Sequence, residues 1–313
     1  MDAMGALLTG PRARGAFLLR SRLSAPWALR IADEAPLTVV AMVAGDAWML
    51  PDDTEHEQVH AGDVVVLRGP APYTVADDPQ TRPQAVIRPG QRCTTPAGAE
   101  IGLMRSLGVR AWGNDPHGTT DLLTGTYQLD GEVSRRLLRA LPAMLVIRDD
   151  PHVRPLVDLL AGEVGRQEPG QEAVLDRLLD LVLIATLRAW FARPGGAAPA
   201  WYRAGSDPVV GPALGLMHHG PEQPWTVTSL AAAVGVSRAA FARRFQALVG
   251  EPPMSFLTEW RLALAADLLS EPDATVESVA RQVGYSSPYA LSTAFKRERG
   301  VSPREHRATL VRT

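Results

Sequence analysis

The C-terminal third of the chain contains a segment that occurs twice, and this repeat limits the possible folds more than any other feature. TVTSLAAAVG at residues 226–235 aligns without gaps with TVESVARQVG at residues 275–284. One residue is then inserted in the second copy, and the match resumes at Ser237 and Ser287. Solenoids need at least three repeats, so two copies of about 50 residues indicate a duplicated module.

Each copy has the residues of two short helices joined by a tight turn. A threonine can cap the first helix, and a glycine can end it in the left-handed conformation. A serine can cap the second helix, and Phe245 or Phe295 can anchor that helix in a small core. This order is typical of the helix-turn-helix, whose second helix enters the major groove of DNA. The alternative is a helix pair that only packs, which the polar and basic residues on both second helices disfavour.

The segment between the two copies predicts a rigid spacer. MSFLTEWRLALAADLLS, at residues 254–270, has the apolar spacing of an amphipathic helix about 25 Å long at 1.5 Å per residue. A helix of this length can hold two recognition helices near the ~34 Å repeat of successive major grooves. We therefore expect one chain to read two adjacent grooves.

The first ~125 residues have the pattern of β-strands. LTVVAMVAGDAWMLP and VVVLRGPAPYTVADD consist of short apolar runs interrupted by Gly, Pro and Asp, and Gly45 and Gly62 are expected where paired strands reverse. From about residue 142 the periodicity becomes helical. The predicted helix has apolar residues on nearly every side, in EAVLDRLLDLVLIATLRAWFA, so it must be buried on more than one side. Either it lies inside one subunit, or it packs against a second copy.

A linker is expected between the two halves of the chain. Residues 192–205 are small and rich in proline and glycine, which is typical of interdomain segments. A new helical region is expected to open at Asp207, an N-cap residue followed by proline.

The composition excludes several classes of protein. With 46% hydrophobic and 21% charged residues the chain can form packed cores, and its 313 residues fit two domains. No apolar run reaches the ~18 residues of a membrane span, and residues 1–20 lack the order of a secretory signal. A single cysteine, Cys93, cannot form an internal disulfide, so we expect a cytoplasmic protein. Basic residues slightly outnumber acidic ones within residues 221–313, which weakly favours a nucleic-acid partner there.

Residues 207–313 resemble the DNA-binding domain of the AraC family of bacterial transcription regulators. The resemblance is carried by SLAAAVGVSRAAFARRFQALVGEPP, by WRLALAADLL and by SVARQVGYSSPYALSTAFKRERGVSPREHR. The upstream part is similar to the cupin-type sensor barrel of one branch of this family, in VHAGDVVVLRGPAPY and ALPAMLVI. The resemblance implies an α+β fold in four parts. These are a cupin-like β-barrel sensor at 1–141, a helical dimerisation segment at 142–193, a linker at 194–206 and an all-α double helix-turn-helix domain at 207–313.

In this family, bases are read from the N-terminal half of each recognition helix. The resemblance makes Arg243 the main base-reading candidate, because arginine can bond guanine O6 and N7 in a bidentate way. The alternative for Arg243 is a phosphate contact. The other residues that the resemblance places at DNA are Arg238, Ala239, Ala242 and Arg244 in the first module and Ser287, Pro288, Tyr289, Ser292, Thr293, Lys296 and Arg297 in the second.

Not all of these residues are expected to read bases. The four cations other than Arg243 are expected to meet phosphates or solvent. Thr293 stands where the family commonly has arginine, so the second module is expected to contribute less to base reading. Tyr289 either stacks on DNA or packs within the protein.

The N-terminal half offers few residues for chemistry. TEHEQVH contains His56 and His60, but along a strand they would lie about 13 Å apart, too far for one metal ion. His218 and His219 are adjacent on a helix and point in different directions. We therefore expect no metal site and no cofactor. Cys93 is interpreted as an inert thiol, with redox sensing as the alternative.

The function expected is sequence-specific transcription regulation by a protein that is not an enzyme. The implied partners are double-stranded DNA, a second copy of the chain, RNA polymerase if the protein is an activator, and a small-molecule effector, with no membrane. Trp27, Trp48 and Tyr73 are candidates to line an effector pocket. Two alternatives stay open, namely a ligand-independent regulator whose barrel only supports dimerisation, and a cupin enzyme fused to a DNA-binding module.

Overall fold

The computed structural model describes residues 17–99, 105–127, 132–193, 198–271 and 273–310. The described residues form two compact units. The N-terminal unit contains 17–127 and 141–193, and the C-terminal unit contains 198–310 together with the inserted segment 132–140. The predicted first domain, residues 1–141, therefore contains a segment that belongs by its contacts to the C-terminal unit. The segment tested for a secretory signal lies mostly outside the described residues.

The N-terminal unit is built from short strands, as the sequence predicts. They are β1 (Phe17–Leu23), β2 (Ala28–Ile31), β3 (Leu37–Ala44), β4 (Asp46–Pro51), β5 (Glu57–His60), β6 (Val64–Arg68), β7 (Tyr73–Ala76), β8 (Ala85–Arg88), β9 (Arg92–Thr94), β10 (Arg105–Gly108), β11 (Ala111–Gly113), β12 (Thr120–Tyr127) and β13 (Met144–Ile147).

Two sheets enclose the core of this unit. Within the described residues, one sheet has the order β10-β11-β1-β12-β3-β6-β13 and the other has the order β5-β4-β7-β2-β8-β9. Inward side chains of both sheets form one apolar cluster, which includes Val40 and Leu122 of the first sheet and Met49 and Val75 of the second. Two sheets that share one apolar interior form the kind of barrel that the cupin resemblance implies.

The predicted turns at Gly45 and Gly62 are present, but they do not join paired strands. Both glycines have positive φ values, 71° and 96°, which residues with a Cβ atom rarely adopt. β3 pairs with β6 and β12, whereas β4 pairs with β5 and β7. Each turn carries the chain from one sheet to the other, so the expectation of paired neighbouring strands was wrong.

Helices α2 (Arg154–Glu163) and α3 (Gln171–Phe191) pack on the outer side of the first sheet, against β3 and β13 respectively. A Cβ at Gly125 of β12 would lie 2.6 Å from the side chain of Leu179, so glycine permits the close approach of α3. α3 buries most of its apolar residues within the unit, including Leu183 at 1% exposure. Val174 and Leu181 remain 44% and 47% exposed.

The C-terminal unit is helical, as predicted. Its helices are α1 (Glu132–Arg139), α4 (Ala200–Ala204), α5 (Val210–His219), α6 (Val227–Ala233), α7 (Arg238–Val249), α8 (Pro253–Leu268), α9 (Val276–Gln282), α10 (Pro288–Arg299) and α11 (Pro303–Leu310). α8 is the predicted spacer helix. The side chain of Asp207 accepts hydrogen bonds from the N–H groups of Val209 and Val210, both at 2.9 Å. Helix α5 nevertheless begins at Val210 with Val209 as its N-cap residue, so the predicted N-cap at Asp207 was wrong.

Two of the predicted domain boundaries differ from the structure. β13 lies inside the segment predicted to be helical, and it extends the first sheet by pairing with β6. α4 lies inside the predicted linker at 194–206 and packs against α7. Trp201 and Ala204 of α4 are buried, so this part of the segment belongs to the core of the C-terminal unit.

No helix among the described residues is both long enough and apolar enough to cross a membrane.

Candidate nucleic-acid interface and barrel cavity

Reciprocal hydrogen bonds start the first helix of each repeat. The hydroxyl oxygen of Thr226 accepts from the N–H of Ser229 at 3.0 Å, and the N–H of Thr226 donates to the Ser229 hydroxyl at 2.8 Å. Thr275 and Ser278 make the same pair of bonds at 3.0 and 3.2 Å. These are capping boxes, and they confirm the predicted threonine caps.

Glycines and serines set the turn in each repeat. Gly235 and Gly284 follow the first helices with φ values of 72° and 79°, in the left-handed region that favours glycine. Ser237 and Ser287 then cap α7 and α10 by accepting backbone N–H bonds at 3.3 and 3.1 Å. Both repeats are therefore helix-turn-helix modules, as the sequence predicts.

Buried aromatic and aliphatic residues fix which face of each second helix is exposed. Phe241 and Phe245 of α7 are fully buried, as are Leu291 and Phe295 of α10. The rings of Phe245 and Phe256 are 5.8 Å apart, which joins the first module to the spacer helix. Because each helix is anchored on one side, its opposite side faces solvent.

The exposed side of α7 carries two arginines without a partner among the described residues. Arg238, Ala239 and Arg243 are exposed, and Ala242 is half-buried. Arg238 and Arg243 make no hydrogen bond or ion pair with any described residue. Their guanidinium groups are therefore available to phosphate oxygens or base edges.

The exposed side of α10 carries fewer charged residues in its N-terminal half than the exposed side of α7 does. Pro288, Thr293 and Lys296 are exposed, and Ser292 is half-buried. Arg297 is also exposed and lies 2.7 Å from Glu298. Tyr289 is 81% exposed, so it does not pack within the protein.

The barrel of the N-terminal unit encloses a cavity of about 190 Å³. Most of its lining is apolar and comes from both sheets, including Leu29, Val40 and Leu122. Tyr73 lines this cavity, whereas Trp27 and Trp48 are not among its lining residues. Trp27 is fully buried in the adjoining core, and Trp48 packs against a separate cluster of Ala28, Leu50 and Ala76.

The histidines of the N-terminal half have protein partners or face solvent. Nδ1 of His60 lies 2.7 Å from Oδ1 of Asp46, and Glu57 pairs with Arg148 at 2.5 Å. In the part of the chain that the structure describes, no group of three or more His, Cys, Asp or Glu side chains is arranged to hold a metal ion.

Comparisons with known proteins match both units. The sequence model of the cupin family matches residues 2–192, and that of a helix-turn-helix domain family matches residues 230–309. A protein of Streptomyces lividans described as an AraC-like transcription regulator is 33% identical over 301 residues, which cover 92% of this chain and 94% of that protein. The chain belongs to the AraC family of transcription regulators.

Two further matches extend this comparison. The transcriptional regulator AlkR of Acinetobacter baylyi is 28% identical over 313 residues, covering 98% of this chain and 99% of that protein. Among solved structures, the DNA-binding domain of the global transcriptional factor AdpA, in complex with a target DNA, is 38% identical. The match covers 33% of this chain and 93% of that one, with a TM-score of 0.31. The predicted fold class, a cupin-like barrel followed by a helix-turn-helix domain of AraC type, is confirmed.

One of the expected DNA contacts of this AraC-family chain has a partner inside the protein. Arg244 donates to both carboxylate oxygens of Asp207, with distances of 2.7 to 3.1 Å. Burial acts to raise the pKa of Asp207, but the bonds from Arg244, Val209 and Val210 outweigh it and hold that pKa below its usual value. Arg244 thus links α7 to the start of α5, which the sequence did not reveal.

Sequence reasoning also missed the inserted helix α1. Val133 and Leu137 of α1 are buried, and the helix packs along α8. The carboxylate of Asp267 accepts from the N–H groups of Glu132 and Val133 and so caps α1. Glu132 in turn forms an ion pair with Arg299, at the end of α10. α1 therefore contacts both the spacer helix and the second module.

The other end of α1 contacts the first part of the spacer helix. The guanidinium of Arg136 lies 4.6 Å from the centre of the Phe256 ring and 3.6 Å from Glu251. Burial lowers the pKa of Arg136, and the nearby Glu251 acts against this shift. His218 packs on the same aromatic group, 4.6 Å from Trp260, and burial lowers its pKa to about 3. His218 is therefore a neutral core residue at physiological pH.

Proposed function

We propose that this AraC-family regulator reads a specific DNA sequence through the exposed sides of α7 and α10. The observation that carries the proposal is the pair of capped helix-turn-helix modules held on one spacer helix. Each module leaves the opposite side of its buried anchors open to solvent. Such a pair is suited to two successive major grooves on one face of the duplex.

The first module is proposed to supply most of the base reading. Arg243 is exposed and unpaired within the described residues, and it lies on the second turn of α7, near the end that enters the groove. At the equivalent position of α10, Thr293 can make only shorter and weaker contacts. The exposed ring of Tyr289 is proposed to stack on a sugar or a thymine methyl group.

The experiment that tests DNA reading is selection of bound sequences from random duplexes by the purified chain at near-physiological salt. We expect a motif of two blocks whose centres lie about one helical turn apart. A single block would mean that the second module only positions the protein. No enrichment, with or without candidate effectors, would contradict sequence-specific reading.

The barrel is proposed to bind a small-molecule effector, and the protein is proposed to act in the cytoplasm without enzymatic activity. The cavity supports effector binding because it is apolar and enclosed on both sides by strands. A ligand that binds only the folded state must raise the melting temperature. If no compound does so, the barrel is a dimerisation scaffold only.

A homodimer is proposed as the working form, with RNA polymerase as a further partner if the protein activates transcription. The exposed apolar residues Val174 and Leu181 of α3 support self-association, because a solvated helix normally carries polar residues there. A charged substitution at Leu183 would not test the dimer, because Leu183 is buried and the charge would disrupt the core of the subunit itself.

The inserted helix α1 is proposed to transmit the state of the barrel. Leu122, Thr124 and Thr126 of β12 line the cavity, and β12 ends at Tyr127. α1 begins at Glu132 and packs on α8 within the C-terminal unit. The backbone thus joins a strand that lines the cavity to a helix that packs on the spacer between the two modules.

A further inference from the structure

Among the described residues, the lining of the barrel cavity contains one carboxylate and no cationic side chain. The carboxylate belongs to Asp33, and the other described lining residues are apolar or neutral polar side chains. We propose that the cavity binds a small hydroxylated amine, with its ammonium group against Asp33 and its apolar body between the two sheets. This inference rests on the proposed effector-binding function of the barrel.

Neutral groups make the hydrogen bonds that the structure shows to the carboxylate of Asp33. It accepts from the N–H of Ala35 and from Nε2 of Gln91, both at 3.2 Å, and both donors are neutral. Asp33 makes no ion pair with any residue that the structure describes. A half-buried carboxylate of this kind favours a cation as its neighbour. An anionic ligand would add a second negative charge in apolar surroundings, which is strongly unfavourable.

The remainder of the lining selects an apolar body of limited size. Leu19, Leu29, Val40, Ile87 and Leu122 contribute aliphatic surface from both sheets. A dry cavity of about 150 Å³ in another protein accepts benzene. The slightly larger cavity here, about 190 Å³, therefore suits one ring with a short side chain.

Two polar atoms in the lining have no hydrogen-bond partner among the described residues and indicate a second polar group on the ligand. Oγ1 of Thr126 and Nε1 of Trp112 are buried, and neither makes a hydrogen bond with a described residue. Thr126 is 2% exposed, so its hydroxyl depends on a partner inside the cavity, such as a polar group of a ligand. The indole N–H is only a donor and requires an acceptor, which a ligand hydroxyl provides.

Tyr73 completes the polar part of the cavity without adding charge. Burial raises the pKa of Tyr73 above its usual value, and the Asp33 carboxylate raises it further. The phenol therefore stays neutral at physiological pH, and Asp33 remains the one charged group among the described lining residues. A cationic ligand neutralises that charge.

The test compares three probes that differ only in one terminal group. Tyramine carries an ammonium group, 2-(4-hydroxyphenyl)ethanol carries a hydroxyl, and 4-hydroxyphenylacetate carries a carboxylate. Their dissociation constants are measured on the full chain by titration calorimetry, with thermal shifts as a second readout. We expect the amine to bind at least tenfold more tightly than the alcohol, and the carboxylate to bind least.

Variants connect this order to the cavity. Asp33→Asn keeps an oxygen that can accept from Ala35, and it should reduce amine binding about tenfold while leaving alcohol binding within twofold. Glu168→Gln removes an exposed carboxylate outside the cavity and should change neither. Thr124→Phe places a ring in the cavity and should weaken all three probes, with circular dichroism reporting that the fold is kept.

The outcomes separate this inference from the proposed function. Equal binding of amine and alcohol, or tightest binding of the carboxylate, would overturn the proposed preference for an amine. Effector binding by the barrel would still stand. Binding of no probe, together with no thermal shift from neutral apolar compounds, would overturn both. The DNA selection would still test sequence reading independently.

Discussion

At the residue scale, Arg243 is the side chain whose role can be tested most directly. Arg243→Ala should weaken binding to the selected sequence by about 1–3 kcal/mol, the value of a bidentate arginine–guanine contact. Binding to random duplex should change much less, because the other exposed cations still contact phosphates. Fluorescence anisotropy with both duplexes at several salt concentrations measures the two losses.

A matched control for Arg243 lies in the second module. Arg281 of α9 is an exposed arginine that pairs with Glu277 at 3.3 Å, and Arg281→Ala should leave both affinities within about twofold. Equal losses on both duplexes in Arg243→Ala would instead identify a phosphate contact. Arg244→Ala is unsuitable as a control, because it removes the ion pair with Asp207.

The residues that sequence reasoning identified correctly are those whose partners are close along the chain. Thr226 and Ser237 each bond to a backbone group three residues away, so the sequence alone specifies these caps. Arg244 and Asp207 are 37 positions apart, and Glu132 and Arg299 are 167 apart. No local pattern marks such pairs, because they form only after the helices have packed.

At the scale of the element, α3 shows the same limit of sequence reasoning. Its apolar residues predict burial on more than one side, and the structure shows most of them buried within the N-terminal unit. The periodicity does not reveal which residues remain for a partner. β13 was included in a helical segment because its four residues are too few to show a period, and only pairing with β6 defines it.

The exposed residues of α3 predict how the dimer can be disrupted. Leu181→Glu places a charge on the solvent side of the helix, at 47% exposure, so the subunit should keep its fold and lose self-association. Light scattering after size-exclusion chromatography measures the mass. Glu168→Lys, a charge reversal at an exposed position outside α3, should leave the dimer intact. A Leu181→Glu protein that stays dimeric would place the interface elsewhere.

At the scale of the whole molecule, α1 predicts a route from the barrel to the DNA-reading modules. Cys93 is the single cysteine and lines the cavity, so a benzyl methanethiosulfonate reagent can place a ring there covalently. Burial raises the pKa of the Cys93 thiol, so the reaction needs mildly alkaline buffer. Labelling should change DNA affinity about fivefold or more, the usual range of coupling between sites.

Loosening α1 should remove most of this response. Leu137→Ala truncates a fully buried side chain of α1, and Arg299→Ala removes the ion pair with Glu132 at a smaller cost in stability. Both variants should still accept the label on Cys93, yet their DNA affinity should change less than twofold on labelling. Cys93→Ser treated with the same reagent reports any effect that does not come from the cavity. If both variants keep the full response, the signal does not pass through α1, because a helix detached from the spacer cannot bias the spacing of the two modules.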